Sequence, residues 1–380
     1  MILVAVIIIS LYSILIIAFI IGFDSLEKPK PINTVSKTSF SIVIPFRNEA
    51  RVLPILLKSL QQLKYSSDKF EIIFVDDDSK DNSVSIIEKG LDTSRLGRDT
   101  RPDIQILTNN RKSGSPKKDA VETAIAQAKF DWILTTDADC NVPQNWLQVF
   151  DAYIQQYQPK LIAAPVTYNT ANSLLKQFQL LDLLSLQGST MGGFGIGYPF
   201  MCNGANLCYK KQAFLDINGF EGNKHIASGD DLFLLEKMVA KYPENVHFLK
   251  SDKVIITTKP EPTLKKLISQ RVRWASKATS YKNNFSKLVS LSVFSMNVLL
   301  IVLFLGSIVG YYSWLLFMIV FPIKFCLDFI ILFKTAIFFK QQSVLKHYFW
   351  SSLVYPIFIT FIVLSSFTSN YSWKGRTYKK

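Results

Sequence analysis

Two aspartates, Asp137 and Asp139, close a short run of Trp132, Ile133, Leu134, Thr135 and Thr136. Such residues favour an extended backbone, and an unbroken run of them suits a strand buried on both faces. Side chains alternate along a strand, so acids two apart point the same way and converge at its C-terminal tip. Paired hard oxygens suit Mg²⁺ or Mn²⁺, a cation usually shared with a substrate's phosphates rather than caged by protein alone. The competing reading is a pair of solvated loop acids. Asp76 and Asp77 end a second apolar run, residues 71–75, and Asp230 with Asp231 opens a helical pattern over 232–240. A helix N-terminus stabilises acids through its dipole and free N–H groups, so a capping role accounts for one of that pair and leaves the other for chemistry. Asp78, Asp81 and Asn82 read as turn or cap residues. Gln270, Arg273 and Trp274 stand at i, i+3 and i+4 of a helical segment, 264–277, and share one face. An Arg and a Trp so placed can hold a phosphate and stack on a ring, or anchor a basic helix at a membrane surface.

The elements that must position these residues alternate in type. Residues 40–45 form an apolar strand closed by Pro45, followed by Arg47, Asn48 and Glu49 and a helical pattern on Leu53, Leu56, Leu57 and Leu60. Strands over 71–75, 104–107 and 132–136 alternate with helices starting at Asn82 or Ser83 and spanning 119–128, and a loop covers 109–118. That alternation predicts an α/β fold, a mostly parallel sheet with helices on both faces. Ligands of such sheets bind beyond the strands' C-terminal ends, where Arg47 to Glu49, Asp76 to Asp78, and Asp137 with Asp139 fall. Further on, Asn203-Gly204-Ala205-Asn206 precedes a short strand, 207–209. Five glycines in 188–197 predict a flexible segment, mobile or lying on a membrane surface, and lack the spacing of a P-loop.

The chain ends are apolar. Hydrophobic residues make up 49% of the 380, with 29 Phe, and the mean hydropathy is +0.20. Residues 2–21 carry no charge and are long enough to cross a bilayer; with no basic stretch before them and no small-residue cleavage site after, they read as an uncleaved anchor. Further spans are expected near 291–308, 312–333 and 349–367. Lys28 and Lys30 follow the first span and Lys277, Lys282 and Lys287 precede the second, so the positive-inside rule places the middle domain in the cytoplasm. Three later spans would leave Lys374, Arg376, Lys379 and Lys380 on the other face. Either one segment is interfacial or re-entrant, or a short basic tail is tolerated outside. Lys324 and Asp328 either pair within the third span or mark its exit from the membrane. The net charge of +14 is ascribed to lysines and arginines facing anionic lipid, not to nucleic acid. Four cysteines without C-x-x-C spacing fit a reducing compartment, and three scattered histidines do not suggest a zinc site. The expected organisation is an anchor (1–22), a linker (23–38), a catalytic domain (39–284), transmembrane or interfacial helices (285–370) and a basic tail (371–380).

Together these residues resemble the family 2 glycosyltransferases, inverting enzymes of the GT-A, Rossmann-like fold, and within them the membrane branch of cellulose, chitin and hyaluronan synthases and ceramide glucosyltransferase. The resemblance covers about residues 40–274 and extends loosely through the C-terminal spans to Trp373-Lys374-Gly375-Arg376. Ile44-Pro45-Phe46-Arg47-Asn48-Glu49 is similar to the family's first strand and turn, Val75-Asp76-Asp77-Asp78-Ser79 to its V-D-D-x-S, Asp137-Ala138-Asp139 to its D-x-D, and Gln270-Arg271-Val272-Arg273-Trp274 to Q-x-x-R-W. Asp230-Asp231 stands where the family usually has Glu-Asp, so Asp230 departs from the pattern. Residues 113–118 match the Gly/Lys region loosely and offer Lys117 and Lys118 as phosphate contacts. The resemblance implies Asp231 as catalytic base with Asp230 beside it, and Asp139 with Asp137 on Mg²⁺ or Mn²⁺. It implies a nucleotide-sugar site of Pro45, Arg47, Glu49, Asp76, Asp77, Asp137, Gln270, Arg273 and Trp274, with uracil and ribose contacts from Asp76 and Asp77. The expected enzyme is a hexosyltransferase using a UDP-sugar, with a lipid or glycan acceptor at the membrane. A processive polysaccharide synthase, a nucleotidyltransferase and a non-catalytic nucleotide-binding receptor or scaffold remain as alternatives.

Overall fold

The computed structural model describes every residue except 1, 28, 30–34, 91–101, 170–172, 278–279, 369–370, 374–375 and 379–380. Lys28 and Lys30 of the expected linker, and Lys374, Gly375, Lys379 and Lys380 of the expected tail, lie outside the described residues. The chain packs as two compact units, one of residues 27–167 and 201–259, the other of 1–26, 168–200 and 260–380. The stretch 39–284 therefore contributes to both.

The first unit is built on strands β1 (Phe40–Phe46), β2 (Phe70–Asp76), β3 (Asp103–Thr108), β4 (Trp132–Thr135), β5 (Leu161–Ala163), β7 (Leu207–Lys210) and β8 (Val246–Phe248). They form one sheet in the order β3-β2-β1-β4-β7-β5-β8. The pairs β1–β2, β2–β3, β1–β4 and β5–β8 are parallel, and β7 runs antiparallel to both β4 and β5. The mostly parallel α/β sheet expected from the alternating pattern is therefore present. Short strands β6 (Val166–Tyr168) and β9 (Ile256–Thr258) pair separately.

Helices α2 (Leu53–Gln61), α3 (Ser83–Gly90), α4 (Pro116–Gln127), α5 (Trp146–Tyr157), α7 (Lys211–Asp216) and α8 (Asp230–Lys241) complete this unit. Phe40, Ile42, Ile44, Phe74, Leu134, Trp146 and Phe150 are fully or almost fully buried in its core. Each such side chain stabilises the fold by about 1.5–3 kcal/mol relative to exposure. Strand order reverses at β1, with β2 and β3 on one side and β4 on the other, which opens a crevice at the C-terminal strand ends. The β1–β4 ladder ends at Val43↔Thr135, so Pro45, which has no N–H to donate, lies beyond the last pair on that side.

Local boundaries depart from the expected ones for identifiable reasons. α4 begins at Pro116, not 119, because proline is pre-organised for the first turn of a helix. β4 stops at Thr135, and Asp137 to Cys140 is a turn closed by the Cys140 N–H on the Asp137 carbonyl, 3.2 Å. At the start of α3, Asp81, one of the expected turn or cap residues, accepts the Ser83 N–H through Oδ1 at 3.0 Å.

The second unit holds α1 (Ile2–Ser25), α6 (Leu174–Gly195), α9 (Leu264–Ala275), α10 (Asn284–Ile308), α11 (Trp314–Phe338), α12 (Tyr348–Thr368) and an antiparallel ribbon of β10 (Tyr371–Trp373) and β11 (Arg376–Tyr378). Among the described residues four segments are long and apolar enough to cross a membrane: α1, α10, α11 and Gln342–Thr368, which contains α12. At 1.5 Å per residue, 24 residues reach about 36 Å, beyond the roughly 30 Å hydrocarbon core. Lys324 and Asp328 pair within α11, and the Tyr12 hydroxyl donates to Asp328 at 2.6 Å.

The glycine-rich stretch 188–197 is not a flexible loop; most of it is the C-terminal part of α6. Its glycines permit close approach of helices. A Cβ on Gly192 would lie 2.6 Å from the Phe19 Cα, one on Gly195 would collide with the Gly22 carbonyl, and one on Gly188 with Thr335. The small residues let the backbone of α6, which is not one of those four segments, approach α1 and α11 closely. Gly192→Ala should therefore destabilise the detergent-solubilised protein by roughly 1–3 kcal/mol, a drop of several degrees in melting temperature. Gly114→Ala, whose new Cβ would meet its nearest atom at 3.6 Å, should melt with the parent. Equal melting of Gly192→Ala and parent would refute the close approach.

Candidate active site

At the end of β1 the backbone turns sharply, and Asn48 takes a positive φ of 52°. The turn is tied to the loop after β2. The Asn48 N–H donates to Ser79 Oγ at 3.0 Å, the Lys80 N–H to Asn48 Oδ1 at 2.7 Å, and the Glu49 N–H to Ser83 Oγ at 2.8 Å. Arg47 donates to the carbonyls of Asp77 and Asp78. Asp76 Oδ1 accepts the Ser79 N–H at 3.0 Å. Asp77 is buried, and its Oδ1 accepts from Asn109 Nδ2 at 2.8 Å and Arg111 Nε at 2.6 Å. Pro45, Arg47, Glu49, Asp76 and Asp77 thus belong to one braced pair of turns. Asn109 and Arg111, which hold the Asp77 carboxylate, were not singled out from the sequence; the signal was the polar run Asn109-Asn110-Arg111 directly after β3.

Asp137 and Asp139 are half-buried while Ala138 and Cys140 are buried. The two acids therefore share an outward side although the strand has ended. Burial, with Asp139 and Asp137 nearby, pushes the Cys140 thiol well above its ordinary pKa, so it stays neutral. Opposite stands the start of α8, where Gly229 caps with φ 85° and no side chain caps the helix. Asp231 Oδ2 accepts the Gly204 N–H at 3.2 Å, and its Oδ1 accepts the Leu232 N–H at 2.8 Å. Gly204 is itself braced: Thr135 Oγ1 donates to its carbonyl at 2.7 Å, and buried Asn206 donates to the carbonyls of Pro165 and Val254, both at 2.8 Å.

Lys117, on the first turn of α4, joins the two sides. Its ammonium lies 2.8 Å from Asp137 Oδ1 and 3.2 Å from Asp230 Oδ2. Burial by itself favours the neutral amine, but Asp137 and Asp230, with Asp231 beyond, raise its pKa above the ordinary lysine value. Because the folded-state pKa is raised, the stability this contributes is fully present below the unfolded value of about 10.4 and is lost only at higher pH. Lys117 is charged throughout the neutral range.

As donors for a cation, Asp137 and Asp139 offer hard carboxylate oxygens, and among the described residues no three His, Cys, Asp or Glu side chains converge. Two such donors fit Mg²⁺ or Mn²⁺ that takes its other ligands from water and a diphosphate.

Gln270, Arg273 and Trp274 lie on α9 in the other unit. There the arginine over the Trp274 ring is Arg271, with its guanidinium carbon 4.2 Å from the ring centroid. Arg271 is buried and donates through Nε to Asp182 Oδ2 at 2.7 Å. Burial disfavours its charge, and Asp182 and Tyr168 more than offset that. Gln270 accepts from Arg271 and donates to Glu261 Oε1 at 3.1 Å. Asp182 was missed, although the lone acid of α6, set between two pairs of leucines, is a signal, since it needs a buried partner.

Comparison with known proteins gives the family and the fold. The profile of glycosyl transferase family 2 matches residues 41–211, and that of glycosyl transferase family group 2 matches residues 132–327, just over half of the chain. "Probable glycosyltransferase YdaM" of Bacillus subtilis is 25% identical over 241 residues, 62% of this chain and 54% of that protein. An undecaprenyl-phosphate 4-deoxy-4-formamido-L-arabinose transferase of Pseudomonas fluorescens is 34% identical over 208 residues, 51% of this chain and 55% of that protein. The chain spans about half the length of these curated relatives. A mannosyltransferase from Pyrobaculum calidifontis, solved with GDP-Man and Mn²⁺, overlays on 92% of this chain and 99% of its own, with a TM-score of 0.54 at 14% identity. That likeness is one of fold.

The Arg271–Asp182 pair supplies a direct test of how α9 is held. Asp182→Leu leaves a buried guanidinium without its counter-charge and should destabilise the protein by about 3–5 kcal/mol in thermal unfolding. Adding Arg271→Met should recover most of that loss. A double variant as unstable as the single one would contradict the pairing.

Proposed function

The chain belongs to the family 2 glycosyltransferases, and we propose that it moves a sugar from a nucleotide-sugar, in our reading a UDP-sugar, to a lipid or glycan acceptor at a membrane. The observation that carries this reading is the meeting of Asp137 and Asp230, through Lys117, beyond the C-terminal strand ends. It puts a candidate cation ligand and the candidate base segment on one small patch. The relatives support both acceptor classes: one is named for an undecaprenyl phosphate and another, from Staphylococcus aureus, as a poly-beta-1,6-N-acetyl-D-glucosamine synthase. The relative named for undecaprenyl phosphate is 34% identical and the poly-beta-1,6-N-acetyl-D-glucosamine synthase 25%, so we favour single transfer to a lipid over processive synthesis. Lysines beside α10 favour a cytoplasmic domain.

The proposed chemistry is one displacement. Asp231, oriented by the Gly204 N–H, takes the proton of the acceptor hydroxyl as that oxygen attacks the anomeric carbon. The bond to the nucleoside diphosphate breaks as the new glycosidic bond forms, so configuration inverts. A Mg²⁺ or Mn²⁺ held by Asp139 and Asp137 would supply positive charge for the leaving diphosphate. Asp76 and Asp77, rigidly braced, are assigned to the nucleoside, and Gln270, Arg273 and Trp274 are assigned by the Q-x-x-R-W resemblance to the nucleotide-sugar.

Asp231→Asn should lower nucleoside diphosphate release from a UDP-sugar panel with membrane lipid extract by about 10²–10⁴-fold. UDP binding, read by calorimetry, should stay within about twofold of the parent. Retention of more than a tenth of the parent rate would remove Asp231 from the role of base.

A further inference from the structure

Lys117 and Lys118 sit side by side with different tasks. Lys118 is fully buried, its ammonium donating to the carbonyls of Asn223 at 2.7 Å and Ile226 at 3.0 Å and lying 4.8 Å from the Phe233 ring centroid. It ties the start of α4 to the loop before α8. The neighbouring Lys117 is thereby carried on an anchored turn, and its ammonium spans Asp137 and Asp230. Gly204 closes the same spot. A Cβ there would lie 3.1 Å from Asp230 Oδ2 and 3.6 Å from Lys117 Nζ.

We propose that Lys117 is a resident counter-ion of the cation site: in the resting protein its ammonium occupies Asp137, and it moves to the donor's diphosphate when metal and nucleotide arrive together. This rests on the reading of Asp137 as a cation ligand. A divalent ion arriving alone must share or take a carboxylate already neutralised by an ammonium at 2.8 Å, and two cations on one carboxylate repel. A diphosphate changes the balance, because it offers the ammonium another anionic partner and offers the metal further oxygens. Metal and nucleotide therefore bind cooperatively, and by linkage each tightens the other by the same factor. Lys117 also keeps Asp230, and with it the first turn of α8, near Asp137 while the donor is absent. It is a positioning residue whose charge sets the order of assembly.

The test is Mn²⁺ binding to the full detergent-solubilised chain, read by the electron paramagnetic resonance signal of free Mn²⁺, with and without UDP. In the parent, UDP should tighten Mn²⁺ at least tenfold. Lys117→Met should bind nucleotide-free Mn²⁺ about tenfold more tightly than the parent, and UDP should tighten it by a smaller factor than in the parent. Lys117→Arg, which keeps the charge, should behave as the parent and guards against a folding artefact. Asp137→Asn should weaken Mn²⁺ binding under every condition. If Asp137→Asn weakens binding while Lys117→Met binds nucleotide-free Mn²⁺ no more tightly than the parent, the counter-ion role is overturned and the cation site stands. Parent-like binding by Asp137→Asn would overturn the cation site and the proposal with it.

Discussion

The first unit depends on solving one electrostatic problem: the C-terminal end of its sheet carries Asp137 and Asp139, the helix facing it starts with Asp230 and Asp231, and Asp137 and Asp230 both reach one ammonium. Like charges held close together repel. The Lys117 ammonium between Asp137 and Asp230 relieves part of that repulsion, and the Gly204 N–H takes up an oxygen of Asp231. Neither device works without its own support. Lys117 is carried by a helix that Pro116 starts and Lys118 anchors, and Gly204 by a turn that Thr135 and Asn206 brace. The acids are thus held ready by buried backbone contacts behind them.

The second unit meets a different constraint, since helices in a bilayer gain little from apolar burial when they associate. Its answer is close backbone contact at Gly22, Gly192 and Gly195, together with charges neutralised in place: Arg271 by Asp182, and Lys324 by Asp328 with the Tyr12 hydroxyl. Leaving Lys324 unpaired within a candidate span, or Arg271 unpaired where it is buried, would be costly. These pairs couple distant parts of the chain, residue 12 to 328 and residue 182 to 271. The unit therefore cannot be understood from local propensity.

What could be read from the residues alone follows from this contrast. The parallel sheet and its polar C-terminal edge were legible because strand runs and the acids that end them are contiguous, as at Val75-Asp76-Asp77 and from Trp132 to Asp139. The four apolar segments were legible for the same reason. The glycines of 188–197 were misread because glycine serves both flexibility and close packing, and only the partner at Phe19 and Gly22 distinguishes the two. The Arg271–Asp182 pair was not legible because helical spacing shows which residues share a face and not which face finds an acid. Lys117 matched a known motif only loosely, and its importance lies in contacts to Asp137 and Asp230, 20 and 113 positions away.

The most direct test of the account is the anomeric configuration of the transferred sugar. The product formed from an α-linked UDP-sugar, with the acceptor supplied by membrane lipid, would be isolated and its anomeric coupling constant measured by ¹H NMR. A single displacement with Asp231 as base predicts a β-linkage. An α-linked product would require a second nucleophile that the account does not contain, and would contradict it.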